Sequence, residues 1–307
     1  MPTPIPQNII DQCLAELRIE NVSKATIRDI FMLSDLIQKK SGVEFVRMEL
    51  GVPGLPASEI GINAEIEALQ SGVASVYGMV DGIEPLKAET ARFAKLFMNV
   101  EVSPKSCIPT VGSMQGTYAA MLTASRMTEG KDTILFIDPG FPVQKQQVAV
   151  MGGKLKSFDI KNNRGEKLRS ILEEYLQAGN ICAILFSNPN NPSWVCLTEE
   201  ELQILGEMAD KHEVILMEDL AYFAMDFRQE LGEPGCAPYQ ATVARYTDRW
   251  IQFISSSKIF SYAGQRIGMM VMSDYIYSME CPSFKATFNA PTFGVCLVQR
   301  VLYALSS

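Results

Sequence analysis

The residues with the most chemistry in this chain lie in one segment, Ser255-Ser256-Ser257-Lys258-Ile259-Phe260-Ser261-Tyr262-Ala263-Gly264-Gln265-Arg266-Ile267-Gly268. Lys258 follows an apolar run and is set among serines. A lysine held near another cation and away from bulk water loses its proton more readily, and the free amine can form a Schiff base. Standing alone, the segment reads equally well as an ordinary strand-end lysine. Ser255 and Arg266 would supply donors for a dianionic phosphate.

Other polar residues share this texture. Asp219 closes the run Glu213-Val214-Ile215-Leu216-Met217-Glu218. A buried carboxylate there needs a proton or a positive partner, and a protonated pyridine nitrogen would serve. The alternative is a helix N-cap aspartate. Tyr222 would project toward the same edge, or simply pack in the core. Asn188-Pro189-Asn190-Asn191-Pro192 is a turn with restricted flanks, either punctuation or a frame that presents Asn191. Thr110-Val111-Gly112-Ser113-Met114-Gln115-Gly116 opens a helix and suits an anion held by backbone N–H groups, although glycine-containing helix starts are common.

Several chemistries are disfavoured. The chain has 1 histidine, His212, placed at a helix end where a structural role is expected, so Ser-His-Asp catalysis has no other base. The 7 cysteines are widely spaced without a C-x-x-C pair, which signals neither a zinc ribbon nor a redox dithiol; no metal site is expected.

The elements that must position these groups are short apolar runs alternating with amphipathic ones. Residues 133–138, 181–187, 214–217 and 250–255 read as strands buried on both faces. Thr198 heads an acidic first turn and predicts a helix between the second and third. This rhythm implies a mainly parallel sheet with covering helices, and the polar clusters fall at its C-terminal edge, where ligands bind. The first ~50 residues carry a helical pattern, and the Gly/Pro-rich stretch 51–56 reads as a linker.

At 307 residues and 47% hydrophobic, the chain is long enough for two domains, or for one large α/β domain with an appendage. A net charge of −8 argues against a broad nucleic-acid or anionic-membrane surface. The start lacks the pattern of a signal peptide, and no apolar run approaches the roughly 20 residues of a membrane helix. A cytoplasmic setting is expected.

Taken in order, Gly112-Ser113-Met114, Pro139-x-Phe141, Asn188-Pro-x-Asn191-Pro, Asp219-x-x-Tyr222 and Ser255-x-Ser-Lys258 with Arg266-x-Gly268 resemble the class I/II aminotransferases, from about Glu49 to the chain end. The resemblance implies a three-layer α/β/α large domain with a mostly parallel sheet, the pyridoxal phosphate (PLP)-dependent fold type I. It implies PLP as cofactor, held by Lys258 as an internal aldimine, with Lys258 as the proton shuttle. Asp219 would keep the pyridine nitrogen protonated, Asn191 and Tyr222 would bond the ring oxygen, and Phe141 would stack on the ring. Gly112, Ser113, Met114, Ser255 and Arg266 would bind the phosphate. Tyr77 resembles the tyrosine that reaches the neighbouring subunit's phosphate, which implies a homodimer with shared sites. Gly51 and Asn191 fall at substrate-binding positions.

The sequence departs from the family pattern in three places. Ser193-Trp194 stands where the family usually has Thr-Gly, so Trp194 either shapes the substrate entrance or packs. The loop from Gly51 differs from the usual Gly-x-Pro-Asp-Phe. The chain reaches Ser307, through a loop at Pro291 and a helix expected over 295–306, before the arginine that grips the substrate carboxylate in relatives. The expected division is therefore residues 1–58 as a small-domain segment and 59–307 as the PLP-binding large domain, with the rest of the small domain absent. The expected activity is amino-group transfer between an amino acid and a 2-oxo acid. The alternatives are a β-lyase or decarboxylase of the same fold, or a PLP-binding module without turnover.

Overall fold

The computed structural model describes residues 4–52, 54–77, 79, 81–225, 233–237 and 239–279. The loop at Pro291 and the helix expected over 295–306 lie outside the described residues. Two compact units divide the chain, Met1–Gly54 and Leu55–Ser307. In the first, α1 (Gln7–Glu16) and α2 (Ile27–Ser41) close around Cys13, Leu33 and Ile37. A reciprocal pair of bonds between Thr26 and Asp29 caps the start of α2, and Gly42, at φ 71°, ends it. Gly51 belongs to this unit.

The second unit begins with α3 (Glu59–Gln70) and α4 (Glu84–Met98). It continues through β1 (Cys107–Val111), α5 (Ser113–Met127), β2 (Thr133–Asp138), α6 (Pro142–Val150), β3 (Lys154–Asp159) and α7 (Glu166–Leu176). Then follow β4 (Ile181–Ser187), α8 (Glu199–His212), β5 (Ile215–Asp219), β6 (Trp250–Ser255), α9 (Ser256–Ile259), β7 (Ile267–Met272) and α10 (Asp274–Ser278). The strands form a 7-stranded sheet in the order β1-β7-β6-β5-β4-β2-β3. Strand β7 runs antiparallel to both its neighbours, and the ladders among β2 to β6 are parallel.

The alternation of side chains along each strand builds two apolar layers. Leu135, Ile184, Phe186 and Leu216 pack with α4, α7 and α8 on one face. Ile134, Phe136, Ala183, Met217 and Phe253 pack with α5 and α6 on the other. Strands buried on both faces with helices on each side make a three-layer α/β/α fold. Among the described residues no helix is long and apolar enough to cross a membrane.

Two local readings shift. Glu218 and Asp219 are the last residues of β5, not a loop beyond it, because the ladder to Phe186 and Ser187 of β4 extends through them. Lys258 is not a strand residue. Strand β6 ends at Ser255, whose side chain accepts from the Ser257 N–H and turns the chain into the 4-residue helix α9 that carries the lysine.

Candidate active site

Six chain segments converge at the C-terminal edge of this sheet. Ser187 of β4 pairs with Asp219 of β5, Asp219 with Phe253 of β6, and Ser255 of β6 with Gly268 of β7. Gly268 also pairs with Thr110 of β1, directly before α5. The pairing lines up the polar residues read from the sequence as strand ends.

One end of the site is shaped for an anion. Gly112 precedes α5 at φ 69°, and a Cβ there would overlap Nη2 of Arg266. The guanidinium therefore lies directly against a glycine that only a bare backbone permits. A Cβ on Gly268 would sit 2.7 Å from the backbone of Gly112 and Ser113. Both glycines are thus required by close approach at the start of a 15-residue helix, where the first N–H groups have no intrahelical acceptor. Ser255, buried, pairs with Gly268 at the neighbouring strand end, and its hydroxyl accepts from the Ser257 N–H at 3.2 Å. Nη1 of Arg266 donates to the Ala263 carbonyl at 2.8 Å, which steadies the guanidinium.

Lys258 is half-buried beside this cradle. Burial, and then the positive charge of Arg266, hold its ammonium below the usual lysine range.

At the other end, Asp219 is buried on the face covered by α5 and α6. Its Oδ1 accepts from the Ala221 N–H at 3.1 Å, and its Oδ2 from Nε2 of Gln144 at 2.8 Å. Burial pushes the carboxyl up to about 6 against both bonds. The site has a carboxylate short of positive charge. Burial and the Asp219 charge also raise the phenol of Tyr222. Phe141, directly before α6, is half-buried, and the same helix carries Gln144.

The turn after β4 is tied to both flanks. Asn188 N–H donates to the Asp219 carbonyl at 3.1 Å, and Asn190 Nδ2 to the Pro139 carbonyl at 2.6 Å. Asn191 N–H donates to Ser187 Oγ at 3.4 Å. The indole of Trp194 meets the Tyr222 ring edge-on, centroids 5.6 Å apart.

Of the residues singled out from sequence, Gly112, Ser113, Met114, Phe141, Asn191, Asp219, Tyr222, Ser255, Lys258 and Arg266 lie on these converging segments. Tyr77 is fully exposed in the second unit, and Gly51 sits in the first. Sequence reasoning missed Gln144. The available signal was its place in the first turn of the helix that Phe141 opens. Among the described residues, no group of three or more His, Cys, Asp or Glu side chains could hold a metal ion.

The family model described as aminotransferase class I and II matches residues 51–302. An LL-diaminopimelate aminotransferase of Halothermothrix orenii is 31% identical over 78% of this chain and 60% of its own length. A probable aspartate aminotransferase of Methanocaldococcus jannaschii is 25% identical, covering 84% of this chain and 63% of the relative. The chain thus spans about six tenths of the length of these relatives. Among solved structures, an aspartate aminotransferase of Thermotoga maritima superposes with a TM-score of 0.70 at 19% identity, over 96% of this chain and 74% of that one. An aminotransferase of Mycobacterium tuberculosis superposes at 0.68 and 18% identity, over 91% and 69%. The sheet order, the converging edge and the match over residues 51–302 lead to one assignment: this chain belongs to the class I and II aminotransferase family.

Proposed function

We propose that the chain acts as a PLP-dependent aminotransferase, which moves an amino group between an amino acid and a 2-oxo acid. The observation that carries the proposal is a depressed lysine beside the Arg266 end of an anion cradle, on the sheet edge where neighbouring β5 ends in a buried carboxylate held only by neutral donors. PLP has a phosphate, an electrophilic carbonyl and a basic ring nitrogen, so each of the three meets a complementary group. Bound PLP supplies an electron sink for charge released at the substrate α-carbon.

The chain's own residues then have separable tasks. The backbone of Gly112, Ser113 and Met114, with Ser255 and Arg266, holds the phosphate. Asp219 keeps a proton on the ring nitrogen, and that cation satisfies the buried carboxylate. Phe141 packs on the ring, and Asn191 and Tyr222 bond its oxygen. Lys258 would hold the cofactor through Nζ and would carry a proton on the same atom; its lowered basicity keeps that amine unprotonated over a wider pH range. Gly51 and Asn191 are proposed to contact substrate.

A homodimer with shared sites accompanies this reading. Helix α3 has no buried residue; Ile62, Ile66 and Leu69 share one exposed face of it, and Val76, next to Tyr77, is exposed too. An apolar face of this kind marks an association surface. A second copy would cover it and bring Tyr77 to the partner's phosphate cradle.

Product analysis tests the activity. The chain is incubated with PLP, a panel of amino acids and 2-oxo acids. A 2-oxo acid formed in step with conversion of the cofactor to its amine supports transamination. Ammonia or carbon dioxide released without that conversion identifies a lyase or decarboxylase, and cofactor binding without any product identifies a binding module.

A further inference from the structure

Trp194 has no task in the assignments above, yet the fold holds it in a costly position. Its φ is 59°, in the left-handed region that bulky side chains rarely adopt. The surrounding bonds impose that conformation. Trp194 N–H donates to the Asn190 carbonyl at 2.9 Å, and Asn190 N–H to the Val195 carbonyl at 3.0 Å. Oδ1 of Asn190 accepts from Ser193 N–H at 3.2 Å and from Ser193 Oγ at 2.7 Å. The other end of the Asn190 amide is anchored on Pro139, in the loop that leads to Phe141.

The result is an indole that stays 39% exposed, outside the packed core. What it meets is Tyr222, at an interplanar angle of 77°. Edge-to-face geometry is a favoured arrangement for two aromatic rings, and it fixes ring orientation as well as distance. Backbone strain kept outside the core, at a specific ring contact, points to a task there.

We propose that Trp194 is a positioning residue acting through Tyr222: the strained turn sets the indole against the phenol ring and fixes the plane in which its hydroxyl meets the cofactor. This rests on the PLP assignment made above. The turn after β4 and the loop after β5 are then coupled by a ring contact, so a change in one reaches the cofactor through the other.

Two measurements test it. The first uses the chain without cofactor. The protein has 2 tryptophans, and the other, Trp250, is buried in β6. In a Trp250→Phe background, emission reports on Trp194 alone. Adding Tyr222→Ala should shift that emission to the red and raise its quenching by acrylamide; unchanged emission and quenching overturn the proposal.

The second uses the chain loaded with PLP and follows the pH midpoint of the visible absorbance of lysine-bound cofactor. It needs no change at Trp250. Trp194→Gly should move the midpoint in the same direction as Tyr222→Phe, and weaken PLP binding about three- to tenfold. The double variant should move it no further than Tyr222→Phe alone, and Trp194→Phe should restore most of the parent value. A Trp194→Gly midpoint equal to the parent's, or a double shift that is the full sum, overturns the proposal while the cofactor assignment stands. A parent chain that gives no such absorbance overturns the cofactor assignment and this proposal together.

Discussion

Nε2 of Gln144 donates a 2.8 Å hydrogen bond to Oδ2 of Asp219, and both side chains are buried at the sheet edge. Gln144 sits on α6 and Asp219 at the end of β5, 75 residues apart in sequence. The amide cannot ionise in the working pH range, so it orients the carboxylate without adding a charge. The charge balance at Asp219 is left to whatever binds beside it.

The first prediction concerns that bond. Gln144→Leu removes a donor from a buried carboxylate, which raises Asp219 further and weakens its grip on a protonated ring nitrogen. PLP binding should fall about tenfold or more, in line with hydrogen bonds to charged groups. Gln144→Glu should cost more, since a second carboxyl then faces the first. Titration with PLP, followed by absorbance, measures both.

Gly112→Ala is expected to disturb the phosphate end selectively. The new methyl displaces the Arg266 guanidinium and forces an L side chain to φ 69°, ψ 164°, a region almost reserved for glycine, at a cost of roughly 1–3 kcal/mol in backbone strain alone. Binding of PLP should weaken at least about tenfold, while binding of pyridoxal, which lacks the phosphate, should change little. Equal losses for the two ligands would place the phosphate elsewhere.

Glu218 predicts a pH dependence of folding. It lies on the opposite face of β5 from Asp219, fully buried. Oε2 accepts from Gln252 at 3.0 Å and from the Val243 N–H at 3.2 Å, and Oε1 from Asn188 at 3.3 Å. Burial outweighs these bonds and pushes the carboxyl up to about 7. A raised carboxyl means the folded chain binds more protons than the unfolded chain between about 4.5 and 7, so stability falls as pH rises through that window. The loss from this group is about 3 kcal/mol at most. Asp219 adds a fall in the same direction between about 4 and 6 in the chain without cofactor. Denaturant melts at pH 5 and pH 8 should show the decline, and Glu218→Gln should flatten its upper part. A chain equally stable at both values contradicts this.

Thr198→Ala provides a control remote from the cofactor chemistry. Thr198 Oγ1 accepts from Glu201 N–H at 3.2 Å, and Glu201 Oε2 accepts from Thr198 N–H at 2.9 Å. Losing this cap should cost about 1 kcal/mol in denaturant melts. PLP affinity should stay within error of the parent.

The sequence made the interior of the fold legible and left its margins obscure. Strands β2, β4, β5 and β6 are buried on both faces, so their apolar runs stand out. Strand β3 is an edge strand with exposed Lys154 and Leu155, and its pattern resembles a loop. Strand β1, at the other edge, contains Pro109, which sheets tolerate only at such positions. Strand β7 follows a segment already occupied by Lys258 and Arg266, and its antiparallel course is set by tertiary pairing alone.

At the site, single residues with distinctive chemistry could be read and contacts between them could not. Lys258, Asp219 and Arg266 are conspicuous because a charge beside an apolar run needs an explanation. Gln144 and the ring contact between Trp194 and Tyr222 join distant segments through side chains with ordinary local surroundings. Only the fold brings them into reach.

On this reading Lys258 is the residue that holds PLP. Borohydride reduction of the chain mixed with PLP, followed by peptide mass mapping, tests it most directly. One modified peptide is expected, carrying the reduced cofactor mass on Lys258, and it should be lost in Lys258→Ala. Modification of other lysines such as Lys145 at equal yield, with Lys258 unmodified, would contradict it.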